Sequence, residues 1–221
     1  MDIYKNRRLV AKLAKNDFKT RYAGSYLGIV WAFIQPVITI LVYWFVFSVG
    51  FRSGTGDLGV PFVLYLVAGI VPWFFFQDAL MGGTNSLLEY NYLVKKVVFN
   101  ISVLPVVKII SAMFVHAFFV LFTIILYAAY GKFPDFYLQI IYYSVCVFIL
   151  VLGLSYATSA IVIFFRDLTQ IINIVLQVGV WLTPIMWIVE ASPLMGHPVI
   201  MKILKLNPMY YIVSGYRDTF L

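Results

Sequence analysis

A chain of 221 residues that is 63% hydrophobic and 11% charged, with a mean hydropathy of +0.95, is excluded from the ordinary soluble domains. Its formal charge of +7 does not mark a nucleic-acid binder, because the cations concentrate ahead of the first apolar run, which reads as topology and anionic-lipid contact. The single cysteine, Cys146, rules out an intramolecular disulfide. The fold class is an all-α polytopic membrane protein.

The first 23 residues form one predicted element. Lys5, Arg8, Lys12, Lys15 and Lys19 recur at three- and four-residue steps, while Val10, Leu13 and Ala14 face away and Phe18 sits on the flank. This pattern predicts an amphipathic helix at the membrane surface, basic side toward headgroups and water. The basic leader and the apolar run behind it are both too long for a cleaved signal peptide. Gly24 and Ser25 supply a turn, and residues 24–221 then form one membrane-embedded domain.

The first span is predicted over residues 27–50, enough helix at 1.5 Å per residue to cross a hydrocarbon core of about 30 Å. Its faces differ. Gly28, Trp31, Gln35, Thr39, Tyr43, Phe47 and Gly50 share one stripe, whereas Val30, Phe33, Val37, Leu41 and Trp44 share another that suits lipid. Pro36 interrupts the backbone ladder midway, which a membrane helix tolerates where a neighbour satisfies the freed carbonyl.

A short Gly-rich turn precedes a second span over 61–83, in which Asp78 needs a partner or nearby water. Residues 84–100 form the longest polar connection, with Leu87, Leu88 and Tyr92 on one side and Glu89, Lys95 and Lys96 offered to an aqueous partner. A third span covers 103–130, with Lys108 near enough to its start to snorkel and His116 deeper as a packing residue. A fourth covers 138–165 and ends in a tight turn at Arg166 and Asp167.

The fifth span, 169–189, repeats the opening pattern: Gln170, Asn173, Gln177, Trp181 and Pro184 follow one face. Two matching stripes favour the lining of a pathway over simple packing. Rings are what sugars stack on, and amides are what hydroxyls bond. Trp31, Gln35, Thr39, Tyr43, Phe47, Asn173, Gln177, Trp181 and Pro184 are therefore the candidate substrate-pathway residues. In the segment 190–221, Pro193, Gly196 and Pro198 break the chain, and Asn207-Pro208 has the form of a helix N-cap followed by proline at the first helical position. Its helices are too short to span and too apolar for a free loop, so re-entrant or surface-lying helices are expected. With the N-terminus inside, seven cations before Gly24 plus Lys95, Lys96, Lys108 and Arg166 lie inside, against Arg52, Lys132, Lys202, Lys205 and Arg217 outside, which supports that orientation.

The chain has no G-x-x-x-x-G-K-[ST] loop, no metal cluster and no nucleophile elbow, so no catalytic or metal residues are assigned. Any ATP would be hydrolysed elsewhere, and residues 84–100 are the place to dock such a motor.

NDFKTRYAGSYLGIVWAFIQP, YLVAGIVPWFFFQDAL followed by GGTNSLL and LVKKVVF, then FFRD, LTPIMWIV and LNPMYYIVSGYRD resemble, in order, the permease subunits of ABC-2 type exporters, in the branch that moves O antigen, capsule or teichoic acid. The resemblance implies a transport subunit rather than an enzyme, in a bacterial inner or plasma membrane. It implies a second copy of the chain, an ATP-binding cassette ATPase subunit carrying ATP and Mg, a lipid-linked glycan as substrate, and contact with membrane lipids but no nucleic acid. It further implies coupling to the ATPase through Glu89, Tyr92, Leu93, Lys95 and Lys96, and an external gate around Pro198, Asn207, Pro208, Tyr210 and Tyr211. The family has six spans; five in this chain would leave Leu221 outside, so the natural chain is expected to continue. A drug or lipid exporter of the same family would want apolar stripes, and a membrane enzyme acting on polyprenyl-linked sugars would want clustered acids.

Overall fold

The computed structural model describes residues 7–50, 60–90, 101–132, 137–189 and 197–221. The elements are α1 (Arg7–Arg21), α2 (Trp31–Trp44) with a 3-10 turn before it (Gly28–Val30) and a π-helical end (Phe45–Gly50), α3 (Phe62–Glu89), α4 (Val103–Ala129), α5 (Tyr137–Val162), α6 (Leu168–Leu182), α7 (Pro198–Lys205) and α8 (Pro208–Phe220). Four of these stretches are long and apolar enough to cross a membrane: Gly28–Gly50, α3, α4 and Leu138–Val162. The chain is a multi-pass membrane protein.

The apolar segment expected over 169–189 is helical only over Leu168–Leu182, 15 residues. Pro184 explains the stop: it has no N–H to donate, and it pushes Thr183 out of the helical region. Thr183 N–H makes the last helical bond, to the Gly179 carbonyl, and beyond it Ile185 N–H closes a tight turn on the Thr183 carbonyl. In contrast, α3 runs past 83 to Glu89, through residues assigned by sequence to the following connection. Ser86 donates to the Gly83 carbonyl at 2.7 Å and stays within the helix. The connection around residues 51–59, the turn at 133–136 and the coupling positions from Tyr92 to Lys96 lie outside the described residues, as does Lys5.

The contacts divide the chain into two compact units. The first comprises residues up to Phe33, with Phe75–His116 and Phe148–Leu176. Here α1 turns Val10 and Ala14 onto Val103, Val106 and Val107 of α4, flanked by Leu13, Ile110, Leu152 and Tyr156. Its apolar side therefore covers protein rather than lipid. Arg8, Lys12, Lys15 and Lys19 remain exposed. Gly24, at φ +95°, makes the turn after α1 that a residue with a Cβ would resist. Between α3 and α5, a Cβ on Gly83 would stand 2.2 Å from the Ser155 hydroxyl, so glycine is what permits this approach. One step on, the Thr84 and Thr158 hydroxyls bond at 2.7 Å. Thr169 of α6 donates to Asn85 at 2.9 Å, and His116 packs its ring 4.7 Å from that of Phe75.

The second unit comprises Ile34–Phe74, Ala117–Val147 and the chain from Gln177 onward. Tyr127 donates to the Leu64 carbonyl at 2.9 Å and Tyr65 to the Trp187 carbonyl at 3.1 Å. Arg217 of α8 donates to the Ile185 carbonyl at 2.6 Å and lies 3.6 Å from the Tyr65 ring centre. Asn207 caps α8 as its sequence predicts, accepting from Met209 N–H at 3.0 Å, and its amide donates to Thr183 at 2.9 Å. Apart from Arg217, the partners in these side-chain bonds are neutral.

Candidate functional site

The two stripes read from sequence meet at one pair. Tyr43 and Trp181 place their rings 6.4 Å apart in the second unit, nearly edge to face. Phe47, one turn further along, stacks on Phe62 at 5.8 Å. Thr39 donates back to the Gln35 carbonyl at 3.0 Å. Gln35, Gln177 and Trp181 are exposed in the single chain, and Thr39, Tyr43 and Phe47 are partly so, whereas Pro184 is buried. Trp31 and Asn173 belong to the first unit, one exposed and one partly buried. The stripe of α2 is no more buried than its opposite face, where Val30, Leu41 and Trp44 are also exposed. Among the expected gate residues, Pro198, Pro208 and Tyr211 are exposed, while Asn207 and Tyr210 are half-buried beside Thr183 and the Val189, Met201 and Leu204 cluster respectively.

The second site is a cluster of charges in the first unit, which the sequence pattern did not assemble. Asp17 of α1 is buried on the line Val10, Ala14, Asp17, whose steps of four and three residues set one acid in continuation of the apolar helix face. That misplaced acid is the signal available in the sequence. Lys108 does not snorkel: it is buried, with its ammonium 2.7 Å from the Asp17 carboxylate and also paired to Glu89. Arg21 makes two bonds to Asp78, at 2.8 and 2.7 Å, and lies 3.7 Å from Asp17. The Tyr90 hydroxyl donates to Asp17 at 2.8 Å, and the Lys108 ammonium sits 5.2 Å from the Tyr90 ring centre. Asp78, uncertain from sequence, thus has its partner, and Glu89, expected to meet the ATPase, is engaged within its own chain.

Burial alone would raise the Asp17 carboxyl, but the hydrogen bond and charge of Lys108, with Tyr90, hold it below the ordinary value of 3.8. Burial also opposes the Arg21 charge, and Asp78 outweighs it, so Arg21 is held more firmly protonated than usual. Burial, then Asp78, pushes the Tyr22 phenol up. These charges wall a cavity of about 540 Å³. Among the described residues no group of His, Cys, Asp or Glu is placed to hold a metal ion.

Comparison with known proteins gives the same family as the motifs. The pattern that defines the ABC-2 type transporters matches residues 8–221. The O-antigen export system permease protein RfbA of Myxococcus xanthus is 29% identical over 222 residues, covering 99% of this chain and 82% of that protein. Two proteins of the same name from Klebsiella pneumoniae are 24% and 25% identical, each over 96% of this chain and 80% of its own length.

Proposed function

The chain belongs to the ABC-2 type transporter family, and from that premise we propose that it is the membrane-spanning subunit of an ATP-driven exporter of a lipid-linked polysaccharide. Its relatives named as O-antigen export permeases, matched from end to end of the chain, carry the choice of a polysaccharide. Teichoic-acid-type polymers share the same needs, hydroxyl-rich units on a lipid anchor. The N-terminus lies in the cytoplasm, and a separate ABC ATPase subunit binds ATP and Mg and drives a homodimer of this chain.

The pathway in this reading runs along the α2 and α6 stripes. The Tyr43–Trp181 ring pair supports it, since ring faces beside amides suit a sugar better than an apolar drug. Gln35, Asn173 and Gln177 supply those amides. Exposure of Gln35 and Gln177 in one chain fits a lumen closed by a second copy.

Coupling falls to the Glu89–Lys96 region. Replacing Lys95 and Lys96 together by Glu is expected to leave the permease folded while separating ATP hydrolysis from export; unchanged export removes that role. Tyr43→Ala and Trp181→Ala are each expected to lower surface polysaccharide several-fold with normal amounts of permease in the membrane. Wild-type polysaccharide in both variants returns the stripes to packing.

A further inference from the structure

The charge cluster of the first unit is unequal in a way that matters for motion. Arg21 and Lys108 are each held by two carboxylates. One is common to both: Asp17, whose side chain is 4% exposed. The other differs, Asp78 for Arg21 and Glu89 for Lys108, and these side chains are 46% and 51% exposed. Both exposed acids belong to α3 and both face the cavity. The buried acid belongs to α1, which the Val10–Ala14 contact fastens to α4, the helix that carries Lys108.

This distribution decides which pairs can part. A half-exposed carboxylate regains water when it leaves, so its separation costs little. A buried charge stripped of its partner costs far more. Withdrawal of Glu89 leaves Lys108 neutralised by Asp17, and withdrawal of Asp78 leaves Arg21 beside Asp17 on the same helix. Withdrawal of Asp17 takes from the buried Lys108 its one buried acid and leaves it only the half-exposed Glu89. The Tyr90 bond to Asp17 ends on a neutral phenol, so breaking it strands no charge.

We infer that Asp17 is a positioning residue for energy coupling: it anchors Arg21 and Lys108 so that Asp78 and Glu89 form a releasable clasp, and the Glu89 end of α3 swings away from α1, widening the cavity the two helices share. This rests on the proposed function, in which residues 91–100, directly after this end of α3, meet the ATPase. The clasp then lies between the motor contact and the helices. The fixed anchor and the movable acids share the same two cations.

Two measurements test it. In detergent, on the purified chain, Asp17→Asn is expected to lower the melting temperature substantially, whereas Asp78→Asn with Glu89→Gln leaves it near wild type. Equal losses for both make the cluster a static tie and overturn the inference. The second uses the complex with the ATPase subunit, in vesicles of phosphatidylethanolamine and phosphatidylglycerol, with Cys146→Ser. Spin labels at Lys12→Cys and Leu87→Cys report α1 to α3, and labels at Lys12→Cys and Ile101→Cys report α1 to the start of α4. Trapping with ADP and vanadate is expected to lengthen the first distance and leave the second unchanged. The doubly neutralised variant adopts the longer distance without nucleotide and hydrolyses ATP several-fold faster at rest. A first distance that ignores trapping overturns the clasp. Failure of the wild-type chain to bind the ATPase subunit instead breaks the proposed function, while the melting comparison still decides whether Asp17 is the anchor.

Discussion

The two units of this chain are held by different chemistry. In the first, α1, α3 and α4 converge on two cations and three carboxylates, with Asp17 buried among them. In the second, hydroxyls donate to backbone carbonyls, as from Tyr127 to Leu64 and Tyr65 to Trp187, and rings stack, as Phe47 on Phe62. Neutral bonds of the second kind are short-ranged and depend on fit. Charge pairs act over longer distances and can exchange partners, at the risk of a large penalty when a buried one is stranded. One unit is therefore suited to being rearranged, and the other to keeping a ring-lined surface in place.

The strongest way to break this contrast is Lys108→Met, which leaves the buried Asp17 carboxylate without its nearest cation. A loss of about 3–5 kcal/mol is expected from thermal unfolding in detergent, and Lys108→Arg should recover part of it. Next is Gly83→Ala, whose Cβ would press on the Ser155 hydroxyl. It should cost about 2 kcal/mol by overpacking and be relieved by Ser155→Gly. In the second unit, Tyr127→Phe removes one hydrogen bond to the Leu64 carbonyl. Denaturation should show a loss of only about 1 kcal/mol. Smallest is the effect of mild acid. Because Asp17 is held below 3.8, its contribution is complete above that pH and is lost only as pH falls through the depressed value. Melting temperatures of wild type and Asp17→Asn should keep a constant gap from about pH 7 to about pH 4.5 and converge below.

What could be read without coordinates was local. Asn207-Pro208 announced a helix start because cap and proline act within a single turn, and Asn207 does cap α8. Length and apolarity located the long helices, since a membrane demands both. The stop of α6 near Pro184 was within reach of the same reasoning, but the apolar run beyond it hid the break. The charge cluster was not legible. Asp17 and Lys108 stand far apart in sequence, and a lysine near a helix start reads as a snorkelling group until an acid is found beneath it. The acid on the Val10–Ala14 face of α1 was the one clue, and it pointed inward without naming what it would meet. The Tyr43–Trp181 pairing was different: periodicity supplied both stripes, and only their meeting point needed coordinates.

The most direct measurement places a photo-crosslinking amino acid at position 43 or 181 in cells making the polymer, with Ile141, exposed on α5, as the control position. The account predicts adducts carrying lipid-linked glycan at 43 and 181 and membrane lipid alone at 141. Glycan captured equally at 141, or at neither 43 nor 181, would contradict a conduit built from α2 and α6.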